Sequence, residues 1–516
     1  MSDESSEALA AAAPDVRTEF ETAMGIKRSL EEQISPLATS LDGRSFSFRA
    51  PLGLDLQVGG YVHLDLPDGS AVGQIVDLRL TEQPGPELSG FLTGGTGPEY
   101  RARLTVSRAE GAGLVLGDSR PFHDALLTPA DPSEVQEFLD ASRPDRAGLP
   151  IGESALADGV RVVLDAGGFN RHTFFCGQSG SGKSYSLGVL VEQILLETDL
   201  RVVVLDPNSD LGRLREVRHD TPADDAARWR SVADRVLIRS ASAGGDDRLR
   251  LRFFELGLRV QAAATGLDPL TDREEYGAFL DIVEQESNGV APEELQKQLI
   301  ATDGPARSFA TRARNLGLLD WAIWTGDRSD RGLLGDLDRD DWRCLVVDLG
   351  SIAEPNERAL VGTAVLDRLW ERRADRRPVL IIVDEAHNVC PQHPGHALQA
   401  LSTQAAVNIA AEGRKYGLSM LVATQRPQKV HENVLSQCDN LVLMRMSAPG
   451  DVAYLADLFA FVPLGLTARS GALRLGEALV AGKAVSHPLF VRFGRRITEE
   501  GGADVPVTWA ARRDGD

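Results

Sequence analysis

Between Ser45 and Leu116 apolar and polar residues alternate with a period of two. SFSFRA (Ser45–Ala50), GYVHLDL (Gly60–Leu66), AVGQIVDLRL (Ala71–Leu80), YRARLTVSR (Tyr100–Arg108) and GLVLG (Gly113–Gly117) carry the pattern, and PDGS, PGPELSG and GGTGPE stand between them as turn signals. Short strands with glycine-rich turns predict a small antiparallel β-barrel over residues 42–120. Residues 1–41 read as an acidic, Ala-rich extension with a short helix near Ile26–Ile34, mobile or peripheral. TPADPSEVQEFL (Thr128–Leu139) suggests a helix capped by Asp131 or Ser133, and ASRPDRAGLPIG (Ala141–Gly152) a linker. Residues 121–159 are therefore read as a connector.

After Val160 the pattern changes. VRVVLDAGG (Val160–Gly168) reads as a strand and turn. HTFFC (His172–Cys176), RVVVL (Arg201–Leu205), CLVV (Cys344–Val347), VLIIV (Val379–Val383) and SMLVAT (Ser419–Thr424) are almost wholly apolar. Such runs mark strands buried on both faces, as in a parallel sheet. Helical spacing follows several of them, as in YSLGVLVEQILLE and ERALVGTAVLDRLWERR. An α/β core over 160–447 is predicted. Residues 255–335 lose the strand signal and read as a helical insertion in that core, whose arginines Arg307, Arg312 and Arg314 suit a solvated face better than a nucleic-acid contact. GEALV and PLFVRF in the last segment, 448–516, read as a terminal hairpin completing the sheet edge.

One stretch carries distinctive chemistry. GQSGSGKS, Gly177, Gln178, Ser179, Gly180, Ser181, Gly182, Lys183 and Ser184, with Tyr185 beside it, lies between an apolar strand and a helix. That is the context in which G-x-x-x-x-G-K-[ST] cradles phosphates. Glycines let successive N–H groups turn inward, and the helix N-terminus adds partial positive charge. Lys183 is positioned for the β- and γ-phosphates of ATP, and Ser184 for Mg²⁺.

VLIIVDE ends a buried strand in two carboxylates. Asp384 is the expected Mg²⁺ residue and Glu385 the group that polarises the attacking water, since neighbouring strand side chains diverge. SMLVAT ends at Thr424-Gln425, where the Gln425 amide suits a γ-phosphate sensor. Asp206, closing RVVVL, also points to the carboxyl-end crevice of the sheet. Arg414 sits at a helix end, where it either complements the helix dipole or serves a neighbouring subunit's ATP as an arginine finger, with Arg426 as the substitute. His387, Cys390, His393 and His396 form an H-x₂-C-x₂-H-x₂-H run that fits no common zinc framework and reads as a loop beside the site.

Composition narrows the rest. A net charge of −21 argues against binding nucleic acid over the whole outer surface, while leaving room for a local basic channel. No apolar run approaches the roughly 18 residues of a membrane span. The acidic N-terminus lacks the basic start of a secretory signal, so the cytoplasm is the expected compartment. Cys176, Cys344, Cys390 and Cys438 are scattered and read as buried, reduced residues. Lysine occurs only at 27, 183, 297, 415, 429 and 483, which makes a chance lysine in the glycine loop less likely.

Taken in order, GQSGSGKS, VDEAHN, EGRKYGL, ATQRP, VLSQCDN and GEALVAG resemble the HerA-like ATPases of the HerA/FtsK superfamily. The N-terminal barrel resembles the one preceding the ATPase in HerA proteins. The resemblance spans about residues 45–495. It implies a RecA-like P-loop core, a homo-hexameric ring and ATP-driven translocation of double-stranded DNA through a central pore. It also implies a nuclease or another effector as partner, since archaeal members work with a nuclease in DNA end resection and bacterial ones occur beside effectors, including in phage defence. By position, Lys183, Ser184, Asp384, Glu385, Gln425 and Arg414 match the family's phosphate, Mg²⁺, Walker B, sensor and trans-arginine residues. Gln178-Ser179 departs from relatives that often carry Thr at the second loop position. Two other readings stay open: a scaffold ATPase ring that presents a partner without processive translocation, and a peripheral pump of the VirB4-like kind.

Overall fold

The computed structural model describes residues 3–91, 99–117, 119–287, 304–325 and 330–502. The turn read at Gly94–Pro98 and the helical pattern at Pro292–Ile300 lie outside the described residues. The chain divides into two compact units, one of residues 1–142, 154–161 and 460–469, the other of 143–153, 162–459 and 470–516.

The first unit is built on a closed antiparallel barrel. Its strands are β1 (Leu37–Ser40), β2 (Ser45–Ala50), β3 (Tyr61–Leu66), β4 (Gly69–Phe91), β5 (Glu99–Leu116) and β6 (Phe122–Pro129), in the order β1-β2-β5-β4-β3-β6. Alternate residues such as Phe46, Phe48, Val62, Leu64 and Leu127 fill its interior. The barrel's strands start before residue 42 and end after 120. β1 comes from the stretch read as peripheral, and β6 from the connector. β6 escaped notice because exposed His123 and Asp124, the latter at φ 54°, interrupt its alternation. The extension itself is helix α1 (Asp3–Glu32), with Ala23 buried and Glu31 accepting from the Ser107 N–H at 3.0 Å.

Two expected strands merge into β5, and PGPELSG lies inside β4, where the register shifts between Pro84 and Glu87. Glycines survive within β5 for a packing reason. A Cβ at Gly111 would stand 2.7 Å from the Phe48 ring and one at Gly113 2.1 Å from the Phe46 ring. A late segment, Ala460–Arg469, returns to this unit, and Arg469 donates to the Val58 carbonyl at 2.8 Å. Helix α2 (Pro132–Ser142) follows the barrel as expected, its Asp131 carboxylate accepting from the Ser133 N–H at 2.8 Å.

The second unit is an 11-stranded sheet. In chain order its strands are β7 (Gly148–Ser154), β8 (Arg161–Asp165), β9 (His172–Cys176), β10 (Arg201–Asp206), β11 (Val236–Ser240), β12 (Cys344–Asp348), β13 (Val379–Val383), β14 (Leu418–Thr424), β15 (Cys438–Met444), β16 (Glu477–Gly482) and β17 (Leu489–Phe493). The sheet order is β11-β12-β10-β13-β14-β9-β15-β16-β17-β7-β8. Strands from β11 to β15 run parallel, and the residues of β9, β12, β13 and β14 are buried throughout. This is the α/β core read from the apolar runs.

Two expectations change here. The Pro- and Gly-rich stretch before Ser154 is strand β7, not a linker, because its Leu149 and Ile151 are buried in the sheet. The β16–β17 hairpin does not close the edge, since β7 and β8 extend the sheet beyond it. The insertion between β11 and β12 is helical where described, with helices at Leu258–Ala264, Arg273–Ser287, Pro305–Asn315 and Gly332–Asp338. Phe279 and Phe309 pack in its own small core. Arg312 is held by Asp272 and Glu275 at 3.2 and 2.8 Å.

Candidate nucleotide site

β9 leads through the glycine loop into helix α3 (Lys183–Glu197). Gly180 and Gly182 have φ of 71° and 92°, a left-handed conformation that disfavours side chains. A Cβ at Gly177 would meet that of Met444 at 2.8 Å, so the loop can lie tightly against the end of β15. Ser181 is buried, and Ser179 is exposed at the loop tip. Gln178 donates its N–H to the Arg445 carbonyl and accepts the Ser447 N–H on its side-chain oxygen, each at 2.9 Å.

The rear of α3 is braced by the chain's last described segment. Glu192, fully buried, accepts from the Ile497 and Thr498 N–H groups at 2.8 Å each and from the Thr498 hydroxyl at 2.6 Å. Tyr185 accepts the Arg496 N–H at 2.8 Å through its hydroxyl. Tyr185 thus anchors the helix start to this brace.

Sheet order explains how distant residues converge. β14 lies between β9 and β13, so the tips carrying Lys183, Gln425 and Asp384-Glu385 are neighbours. Lys183 is buried and its ammonium contacts the Asp384 carboxylate directly, with Glu385 Oε1 at 3.2 Å. Burial opposes its charge, but the two carboxylates prevail and hold the ammonium above the usual lysine range. Gln425 donates to Glu385 Oε1 at 2.9 Å. His387 Nδ1 stands 3.2 Å from Glu385 Oε2 and 3.0 Å from Thr424 Oγ1. Burial pushes the Glu385 carboxyl up, yet His387 and Lys183 outweigh it and bring its pKa down to about 2. Its backbone sits at φ 40°, a left-handed conformation rare outside glycine that recurs at functional sites.

On the other flank, Asp206 closes β10 and is buried. It accepts from the N–H groups of Asn208 at 3.3 Å, Asp210 at 3.1 Å and Leu211 at 2.8 Å. Burial raises its pKa to about 7, with the charges of Asp210 and Asp384 adding to the shift against the Leu211 hydrogen bond. Asp210, missed in the sequence, is half-buried beside Ser184; burial raises its pKa, and the Ser184 hydroxyl works against that rise. The raised Asp206 pKa fixes a sign. Its contribution to stability is complete below the unfolded pKa near 4 and is lost as pH rises through about 7. The melting temperature of Asp206→Asn relative to the parent should therefore rise between pH 6.0 and 8.5. A difference independent of pH in thermal unfolding contradicts this.

Arg414 is not brought to this cluster. It lies in the turn Gly413–Tyr416 before β14, at the opposite end of the strand. Seven strand residues at about 3.3 Å each separate the two ends by roughly 20 Å. There Arg414 Nη1 lies 3.3 Å from Asp439 Oδ2, and Arg171, just before β9, lies 3.1 Å from the same oxygen. Arg171 is a second arginine at that edge which the motifs did not single out. Arg426 is exposed at the near edge, one residue past Gln425. Of the H-x₂-C-x₂-H-x₂-H run, Cys390 is buried, His396 caps the helix Ala397–Glu412 and His387 turns to Glu385. Among the described residues no group of three His, Cys, Asp or Glu side chains is set to hold a metal ion. None of the described helices is long and apolar enough to cross a membrane.

A strand, glycine loop and helix, faced by a lysine, two strand-tip carboxylates and a polar amide, define a P-loop ATPase. Residues 149–289 match the family model described as Helicase HerA, central domain. The chain is 25% identical over 399 residues to the DNA double-strand break repair helicase HerA of Pyrococcus furiosus, covering 67% of this chain and 69% of that one. It is 24% identical over 403 residues to the enzyme of the same name from Saccharolobus solfataricus, covering 73% and 74%. Among solved structures it is similar to VirB4 of Thermoanaerobacter pseudethanolicus, with a TM-score of 0.47, 16% identity and coverage of 68% of this chain and 98% of that one. In sequence the chain is thus similar to the HerA helicases, as its ordered motifs suggested.

Proposed function

We propose that the chain is an ATP-driven ring motor that moves along or unwinds double-stranded DNA, with each nucleotide site completed by the next subunit. The observation that carries this reading is the split of the charged groups. One chain gathers Lys183, Asp384, Glu385 and Gln425 at the carboxyl ends of the strands, while Arg414 and Arg171 share Asp439 at the amino ends. A cyclic, head-to-tail assembly brings opposite faces of identical chains together. The substrate reading rests on the relatives' names, DNA double-strand break repair helicase. With a net charge of −21, DNA contact is confined to a local basic surface such as a pore. The domain reading follows: a barrel as docking platform, a RecA-like core as motor, and a nuclease or other effector as its partner.

Lys183 leaves Asp384 and Glu385 for the β- and γ-phosphates of arriving ATP. The loop N–H groups and the α3 N-terminus wrap the phosphates. The oxygen donors Ser184 and Asp384, beside Asp206 and Asp210, suit Mg²⁺, which neutralises phosphate charge when bound. Glu385, ionised at neutral pH and aimed by Gln425 and His387, accepts a hydrogen bond from the attacking water. Arg414 of the neighbour stabilises charge on the transferring phosphoryl group. His387 is here a positioning residue. His387→Ala should lower kcat about tenfold while ATPγS affinity stays within about twofold, since it orients Glu385 without touching nucleotide. An equal loss of nucleotide affinity contradicts that role.

The assembly is tested by measuring solution mass with and without ATPγS and Mg²⁺. A six-subunit multiple of the 55.6 kDa chain is expected. A monomer under every condition overturns the ring.

A further inference from the structure

We propose that Arg445 is a γ-phosphate-binding residue acting within its own subunit, and that the Gly180 carbonyl is its parking place. The inference rests on the ATP-binding reading and deepens it. β15 pairs in parallel with β9, with Leu443 opposite Cys176, so Arg445 leaves the sheet beside the first residues of the glycine loop. Arg445 Nη2 donates to the Gly180 carbonyl at 2.9 Å. Its Nε is shielded from solvent and has no hydrogen-bond partner. A guanidinium has five N–H donors, and among the described residues the Gly180 bond is the one that Arg445 makes. No carboxylate stands within ion-pair distance of it among the described residues.

This is unusual in so acidic a chain. Arg201, Arg239 and Arg368 in the same unit each pair with an aspartate, Asp340, Asp336 and Asp338. An arginine beside a phosphate loop with its charge uncompensated is matched to a polyanion, which guanidinium can grip through two parallel hydrogen bonds.

The attachment of Arg445 specifies which phosphate. Its backbone is fixed to the loop through Gln178, whose N–H and side-chain oxygen hold the Arg445 carbonyl and the Ser447 N–H at 2.9 Å each. Gln178 therefore sets the register between loop and arginine. Only the guanidinium is free to swing. It starts from Gly180, three residues before Lys183, on the outer rim of the loop. The loop's N–H groups serve the inner phosphates. Lys183, buried against the strand tips, reaches the β- and γ-phosphates from the sheet side, which leaves the outer face of the terminal phosphate within the arc of Arg445. ADP lacks that phosphate, so Arg445 separates ATP from ADP.

The test compares binding of ATPγS and ADP, each with Mg²⁺, to the full chain by calorimetry. Arg445→Ala should weaken ATPγS about tenfold and ADP less than about twofold. Arg445→Lys, which keeps the charge, should recover part of the difference. Arg445→Gln keeps a polar side chain but is neutral, and should behave like the alanine variant. Equal weakening of both nucleotides by Arg445→Ala, no weakening of either, or recovery of ATPγS affinity by Arg445→Gln each overturns the proposal. Failure of the parent chain to bind either nucleotide overturns the ATP-binding reading and this proposal with it.

Discussion

Glu385→Gln binds ATP at least as tightly as the parent chain and hydrolyses it about 10²–10³-fold more slowly. Both halves of this expectation follow from the geometry around Lys183. Lys183 is buried between Asp384 and Glu385, so phosphates must draw it away from two carboxylates. Neutralising one of them weakens the competition, and ATP affinity holds or improves. The amide keeps the shape of Glu385 and can still meet Gln425, but it cannot serve a water molecule as an ionised carboxylate does. Single-turnover hydrolysis alongside ATPγS binding measures both halves. Turnover within about threefold of the parent removes Glu385 from its assigned role and leaves the carboxylate chemistry to Asp384 or Asp210.

Arg414→Ala is the second large effect. ATP affinity in the assembled protein should change by less than about twofold, while kcat falls about 10²–10³-fold. The fold should tolerate the change. The Arg414–Asp439 pair is more than a third exposed, and Asp439 keeps Arg171 at 3.1 Å, so no buried charge is left unpaired. Mixing is the informative step. Arg414→Ala retains an intact glycine loop, and Lys183→Ala retains an intact arginine. In mixed rings some interfaces pair a sound loop with a sound arginine, so activity returns above that of either variant alone. If mixing restores nothing, Arg414 does not act across the interface, and Arg426 or Arg171 becomes the candidate.

Local chemistry was legible in the sequence, and tertiary pairing was not. Gly177–Ser184 and Asp384-Glu385 were readable as motifs because each is written in consecutive residues at a strand tip, and the structure brings the two together. The sheet was readable because strands buried on both faces have nowhere to place a polar residue. β6 was missed because His123 and Asp124 break its alternation. β7 was missed because its buried Leu149 and Ile151 alternate with proline and glycine. β5 was cut in two because Gly111 and Gly113, required by the Phe48 and Phe46 rings, imitate a turn. In the site, His387 raised a question about zinc because His and Cys recur nearby, while its partner Glu385 stands two residues away. Asp210, Arg171 and Arg445 gave no signal. Their significance comes from Ser184, Asp439 and Gly180, which folding alone brings close. The left-handed backbone of Glu385 was equally hidden, since nothing about a glutamate predicts it.

The central claim is that ATP hydrolysis here is coupled to duplex DNA. Steady-state ATP hydrolysis with increasing amounts of linear double-stranded DNA, at fixed salt, tests it most directly. The account predicts that duplex DNA raises the rate severalfold and that the rise falls steeply with added salt, as phosphate contacts require. Intact basal hydrolysis that no DNA changes would contradict the motor and favour a ring that presents a partner instead.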